Sequence, residues 1–193
     1  VTDSLPQSQV TAAEDSEIIR ATHVWLERAV IGLNLCPFAR VPFTQGCVRF
    51  RVSHATDEGA LLQDLGEELN ALHAADPETC ETTLLIHPQV LTDFFDYNDF
   101  LGAAEATVAA LGLEGDIQVA SFHPDYRFAD TDPDAIENYT NRSPYPMLHL
   151  LREASIEHAV ESVPDPDAIY ERNIETMRKL GIEGWRRLMR DEP

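Results

Sequence analysis

"NYTNRSPYPMLHLLREAS", residues Asn138 to Ser155, decides which fold the rest of the chain can take. Ser143 can cap a helix, Pro144 suits the first helical position, and Pro146 falls in the first turn, where a missing N–H costs nothing. The spacing then predicts a helix. Tyr145, His149, Arg152 and Glu153 stack on its polar face, at i, i+4, i+7 and i+8, while Met147, Leu148, Leu151 and Ala154 form a core-facing stripe. With this segment helical, every strand of the sheet has to lie upstream of it.

Upstream, helical and extended patterns alternate. "EIIRATHVWLERAVIG" (17–32) has apolar residues near helical spacing, and Ser16 can cap it. "LNLCPFARVPFTQG" is a connection marked by two prolines and a glycine. "CVRFRVS" reads as a strand, "DEGALLQDLGEELNALHAA" as an amphipathic helix, and "TTLLIHP" as a short apolar strand. "QVLTDFFDYNDFLGAAEATVAALGL" is helical, and "DIQVASFHP" is a third strand. Strands separated by helices of this length imply right-handed crossovers. The expected fold is α/β, with three or more mainly parallel strands, crossover helices, and C-terminal helices packed on the sheet. Residues 1–16 are expected to be a flexible acidic tail with no signal-peptide core, and residues 17–193 a single α/β domain. "VPDP" is expected to cap the last helix, "DAIYERNIETMRKLGIEGWRRLMR".

The charge balance narrows the partners. Fourteen Lys+Arg stand against 34 Asp+Glu, a net of −20, which repels nucleic acid and anionic membranes at long range. No apolar run approaches the roughly 20 residues of a membrane span. Three cysteines, an odd and sparse set, point to reduced thiols in the cytoplasm. The oligomeric state is not legible. All cations except Lys179 are arginines, and the arginine fork suits carboxylate or phosphate.

Ligands of open parallel sheets bind beyond the carboxyl ends of the strands. Two of the strands end in the same signature, His87-Pro88 and His123-Pro124, and adjacent strands would set both imidazoles on one rim. The competing structural role for each is to cap a loop carbonyl. Beside them the Asn138–Ser155 segment offers Tyr145, His149 and Glu153 as acid/base candidates. Arg142, Arg152, Asn141 and Ser143, with Tyr126, are candidates for holding a substrate. Cys36, directly before Pro37, is a candidate nucleophile if its thiol is activated, and a core residue if burial dominates. His87 and His123, with Asp125 or His149 as third ligand, could instead hold zinc or non-haem iron. No GxGxxG, GxxxxGK[ST] or GxSxG pattern occurs, so the dinucleotide, P-loop and serine-hydrolase readings fall away.

"GLNLCPFA", "FHPDYRFA" and "NRSPYPMLHLLRE", with the histidine–proline strand end, resemble a bacterial family of uncharacterised proteins, domain of unknown function 1415, over residues 18–180. The resemblance implies no reaction, substrate or cofactor. The residues themselves predict a cytoplasmic enzyme, hydrolase-like or metal-dependent, acting on a small anionic molecule at a His/Arg/Tyr-rich cleft. The alternative is a non-catalytic small-anion-binding or protein-interaction module.

Overall fold

A computed structural model describes residues 7–161 and 167–190. Helix α1 runs Gln7–Trp25 and continues as a π-helical turn over Leu26–Ile31. It therefore takes in residues 7–16, which the sequence assigned to the flexible tail. Residues 1–6, and the "VPDP" cap expected at 163–166, lie outside the described residues. A short α2 (Arg40–Gln45) follows, ended by Gly46 at φ 72°, a left-handed conformation that glycine adopts without cost. Then come β1 (Val48–Val52), α3 (Glu58–Ala74), β2 (Thr82–Ile86), α4 (Phe94–Ala110) and β3 (Ile117–Phe122). These follow the predicted alternation closely.

After β3 the structure departs from the sequence reading. A long connection with one 3-10 turn at Ile136–Thr140 leads to β4 (Met147–Arg152), and helix α5 begins only at Glu153, ending at Glu161. The predicted helix over Met147–Arg152 is a strand. The sheet order is β1-β2-β4-β3, with β1 parallel to β2 and β4 antiparallel to both neighbours. The sheet is thus mixed, with one parallel pair, and the mainly parallel sheet expected from the sequence is corrected accordingly. Strands β1, β2 and β3 still point the same way, because β4 reverses direction between β2 and β3.

The physical reason for the misreading lies in burial. A strand inside a sheet covered on both faces is a nearly continuous apolar run, and periodicity alone cannot separate it from a buried helix. Met147, Leu148 and Leu150 are all fully buried. Met147 joins the cluster on one face, with Leu84 and Ile86 of β2, Trp25 of α1, and Met177 and Trp185 of the last helix, α6 (Asp167–Met189). Leu148 and Leu150 join the other, with Leu61, Leu65 and Leu69 of α3 and Tyr97, Phe100 and Ala104 of α4. The prolines act differently from a helix start. Pro146 restricts the residue before it to extended backbone, and its carbonyl accepts the His87 N–H at 3.0 Å. Ser143 is no N-cap; its hydroxyl donates to the Tyr145 carbonyl at 2.7 Å.

Two side chains fasten this arrangement. The Tyr97 hydroxyl, fully buried on α4, donates to the Met147 carbonyl at 2.8 Å and accepts the Phe122 N–H at 3.1 Å. It thereby closes the β3–β4 ladder at its rim end, where Phe122 pairs with Met147. On the edge strand β1, Arg49 and Arg51 reach back to Glu68 of α3, at 3.2 and 3.4 Å; Glu68 is only 6% exposed.

Replacing Tyr97 by Phe keeps the ring and leaves a buried N–H and carbonyl unpaired. The expected loss is about 1–3 kcal/mol, read as a lower urea midpoint with an unchanged m-value; a midpoint equal to that of the parent chain would show that the hydroxyl is dispensable.

Candidate functional site

His87 follows the last residue of β2, and His123 the last residue of β3. Ile86 and Phe122 both pair with Met147, so the two histidines share one rim with β4 between them. Their backbones lie roughly 10 Å apart, two strand spacings. Both rings pack on Tyr97, with centroid distances of 5.7 Å for His87 and 5.0 Å for His123, and both are fully buried.

Their nitrogens are turned inward to one loop. His87 Nδ1 lies 3.0 Å from the Val90 carbonyl, and His123 Nε2 3.2 Å from the Leu91 carbonyl. His123 Nδ1 accepts the Asp125 N–H at 3.0 Å, so the network assigns its proton to Nε2. Burial pushes His87 down to about 4, against the pull of the Val90 carbonyl, and burial likewise lowers His123. Both are buried imidazoles that pin the loop between β2 and α4. Leu91 in that loop has φ 55°, a left-handed backbone that a branched residue rarely adopts. Its carbonyl is held where a buried imidazole can donate to it. The remaining polar atom, His87 Nε2, is buried without a hydrogen-bond partner.

The pinned loop forms one wall of a rim cleft of about 570 Å³, lined by residues 56–59, 90–93 and Asp96. The opposite wall is the turn from β1 into α3. It is held by Ser53, whose hydroxyl donates to Asp64 and accepts the Ala55 N–H. Two helix N-termini open on the cleft, and both are already capped by carboxylates. Asp57 accepts the Ala60 N–H, and Asp93 accepts those of Phe95 and Asp96. The donors that would otherwise attract an anion are thus partly used.

Residues 17–187 match the family described as "Protein of unknown function (DUF1415)". The chain belongs to this family. No curated protein and no solved structure matches it.

The DUF1415 chain keeps Asp125, Tyr126, Asn141 and Ser143 beside His123, but it does not bring His149, Arg152 or Glu153 to the rim. His149 lies on the face of the sheet away from α4, near Phe122; its Nε2 is 2.7 Å from the Thr82 hydroxyl, and burial lowers it to about 4. Arg152 and Glu153 stand at the far end of β4, roughly 17 Å along the strand from the rim. The stacked face of Tyr145, His149, Arg152 and Glu153 does not exist: strand alternation sends Arg152 to the side opposite His149, and Glu153 already belongs to α5. Tyr145 packs instead against the cluster that contains Trp25.

Both arginines predicted to clamp an anion are committed to backbone carbonyls. Arg152 donates to Leu72, Ala75 and Cys80, closing the C-terminal end of α3. Arg142 donates to Tyr126 and Pro133, with its guanidinium carbon 4.3 Å from the Tyr139 ring centroid. Asn141 and Ser143 extend the ladder past β3, exchanging backbone hydrogen bonds with His123. Tyr126 lies edge-on to Phe94 and Phe128.

The metal set of His87, His123 and Asp125 does not assemble either. Both His123 nitrogens are engaged, Asp125 is exposed, and among the described residues no group of three or more His, Cys, Asp or Glu side chains is arranged to hold a metal ion. Cys36 is half-buried beside the Trp25 cluster, and burial raises its thiol, outweighing the backbone N–H groups of Phe38 and Ala39.

Three positions went unmarked in the sequence. Tyr97 and Leu91 leave no local signal. Asn138 does: it lies inside the opening stretch, fully buried, accepting from Phe128 N–H and Thr131 and donating to Asp132 and Pro133. An Asn that satisfies its own loop is typical turn chemistry, and it organises the connection that brings β4 back into the sheet.

Two outcomes follow from the titration chemistry. His87 takes a proton near 6.5 when unfolded but only near 4 when folded, so the unfolded state binds the extra proton between those values. Stability is complete above about pH 6.5, falls as pH drops to about 4, and loses nothing more to this group below that. The ceiling on the loss is on the order of 3 kcal/mol. His87→Asn keeps a donor for Val90 and removes the titration, so urea midpoints measured across this window should fall less steeply than in the parent. For Cys36, in a chain carrying Cys47→Ala and Cys80→Ala, iodoacetamide labelling at pH 8 should run about tenfold slower folded than in urea; equal rates would mean an accessible thiol.

Proposed function

We propose that the DUF1415 chain is a ligand-binding module whose site is the rim cleft, and that its ligand is a small cationic molecule. The observation that carries this reading is the lining: Asp57, Glu58, Asp93 and Asp96 face the cleft, and no Lys, Arg or His lines it. With a net charge of −20 behind them, these carboxylates favour ammonium or guanidinium groups and repel anions. The small anion expected from the sequence loses its support with the commitment of Arg142 and Arg152 to carbonyls.

Binding is favoured over catalysis because neither the three histidines nor Cys36 line the cleft. The imidazoles of His87 and His123 act behind its wall, as positioning residues for Val90 and Leu91. An enzyme at this site would have to use carboxylates. Glu58 and Asp96 are the two lining acids whose side chains cap no helix, and they are the groups able to take a proton from a bound amine.

Thermal unfolding tests the reading. Spermidine or arginine at concentrations well above Kd should raise Tm by about 5 °C, and phosphate or citrate should not. Glu58→Gln with Asp96→Asn, both exposed positions, should cut the cation effect at least by half. Stabilisation by phosphate or citrate with none by the cations would return the anion reading.

A further inference from the structure

Beside the cleft, and outside its lining except for Asp93 and Asp96, runs a continuous row of aromatic rings. Phe95 meets Phe94 at 5.9 Å, Phe94 meets Tyr126 at 5.4 Å, Tyr126 meets Phe128 at 5.1 Å, and Phe128 meets Tyr170 at 6.2 Å. The row joins the N-terminal turn of α4, the connection after β3 and the start of α6. Its two ends are open: Phe95 is 61% exposed and Tyr170 54%, among the most exposed large apolar side chains of the chain. The three rings between them are half-buried. Folding gains little from presenting two aromatic rings to water, so the row calls for a partner.

The charge around the row says which partner. Asp93, Asp96, Asp125, Asp130, Asp132 and Asp134 are all exposed and lie next to it in sequence, and none forms an ion pair among the described residues. The cations of the connection after β3 are Arg127 and Arg142, with Arg142 spent on carbonyls and the Tyr139 ring, and exposed Arg172 follows Tyr170 in α6. Arg127 sets its guanidinium carbon 5.6 Å from the Phe95 ring centroid, within the range of cation–π attraction. The chain's own arginine thus already occupies one ring of the row, in the geometry an incoming arginine or lysine would use. Aromatic faces flanked in sequence by carboxylates that form no ion pair match alternating cationic and apolar groups on an extended backbone. Each ring-to-ring step is close to the length of two extended residues, at roughly 3.3 Å per residue.

We infer that the row from Phe95 to Tyr170 is a docking surface for a basic peptide segment of a partner protein, held by cation–π stacking and by the flanking aspartates. This surface shares Asp93 and Asp96 with the cleft, but none of its five rings lines the cleft. A basic ligand in the cleft would be gripped by Glu58, and one on the row would not.

The test uses the full chain and a labelled peptide alternating arginine and glycine, with a glutamate–glycine peptide as control, read by fluorescence anisotropy. The basic peptide should bind saturably and the acidic one should not. Phe95→Ala and Tyr170→Ala alter exposed rings, and circular dichroism would check that each variant keeps the fold; each should weaken binding about tenfold, while Glu58→Gln should leave it unchanged. Three results would overturn the inference. Affinity insensitive to both ring variants would reduce the binding to net charge. Loss of binding in Glu58→Gln, with the ring variants unaffected, would move the peptide into the cleft and support only the cleft reading. A sedimentation profile showing self-association that Phe95→Ala abolishes would make the occupant of the row a second copy of the chain.

Discussion

The Tyr97 hydroxyl works at the point where helix α4 meets the last pair of β3 and β4. By donating to the Met147 carbonyl and accepting from the Phe122 N–H, it replaces part of the ladder just where the strands diverge into His123 and Pro146. The same ring is the surface on which both buried imidazoles rest. Those imidazoles in turn hold the Val90 and Leu91 carbonyls, and so the wall of the cleft. Backbone strain at Leu91 persists because the surrounding structure over-determines it, and the chain of support runs from a phenol through two histidines to that residue. Geometry at the rim therefore depends on the packing of α4 more than on the loop's own sequence.

Electrostatics at the rim follow from capping. An uncapped helix N-terminus attracts anions through free N–H groups and its dipole. In this chain the helices after β1 and β2 both begin with aspartate caps, Asp57 and Asp93. The cleft formed between them inherits carboxylates instead of donors. The strand-end position, which in open α/β sheets so often receives phosphate, here has its polarity reversed by two residues whose first duty is to start a helix.

The fold was legible wherever a segment had one amphipathic face. Leu61, Leu65, Leu69 and Leu72 mark α3 as a helix lying on a sheet, and "TTLLI" is too short to be anything but a strand. Legibility failed at Met147–Arg152, where burial on both sides erases the period that separates helix from strand, and where Pro144 and Pro146 fit a helix start as readily as a strand entrance. The error spread from secondary structure to site, because the grouping of His149 with Arg152 and Glu153 existed only on the helix. His87 and His123 were found from the repeated strand–histidine–proline signature, and their contacts agree with the loop-capping role weighed for them. The direction in which their nitrogens point, toward Val90 and Leu91, depends on the fold of a loop that carries no pattern.

The arginines of β1 have a consequence for the chain in a crowded solution. β1 is an edge of the sheet, and its outer backbone groups are of the kind that recruit strands from other molecules. Arg49 and Arg51 lie side by side on one face of that edge, tethered to the nearly buried Glu68. A second copy approaching edge to edge would bring two more arginines and one more Glu68 against these, so that four guanidinium groups would face two carboxylates. The arginine pair tethered to the covering helix thus lays like charge along the sheet's margin, a feature that opposes edge-to-edge pairing.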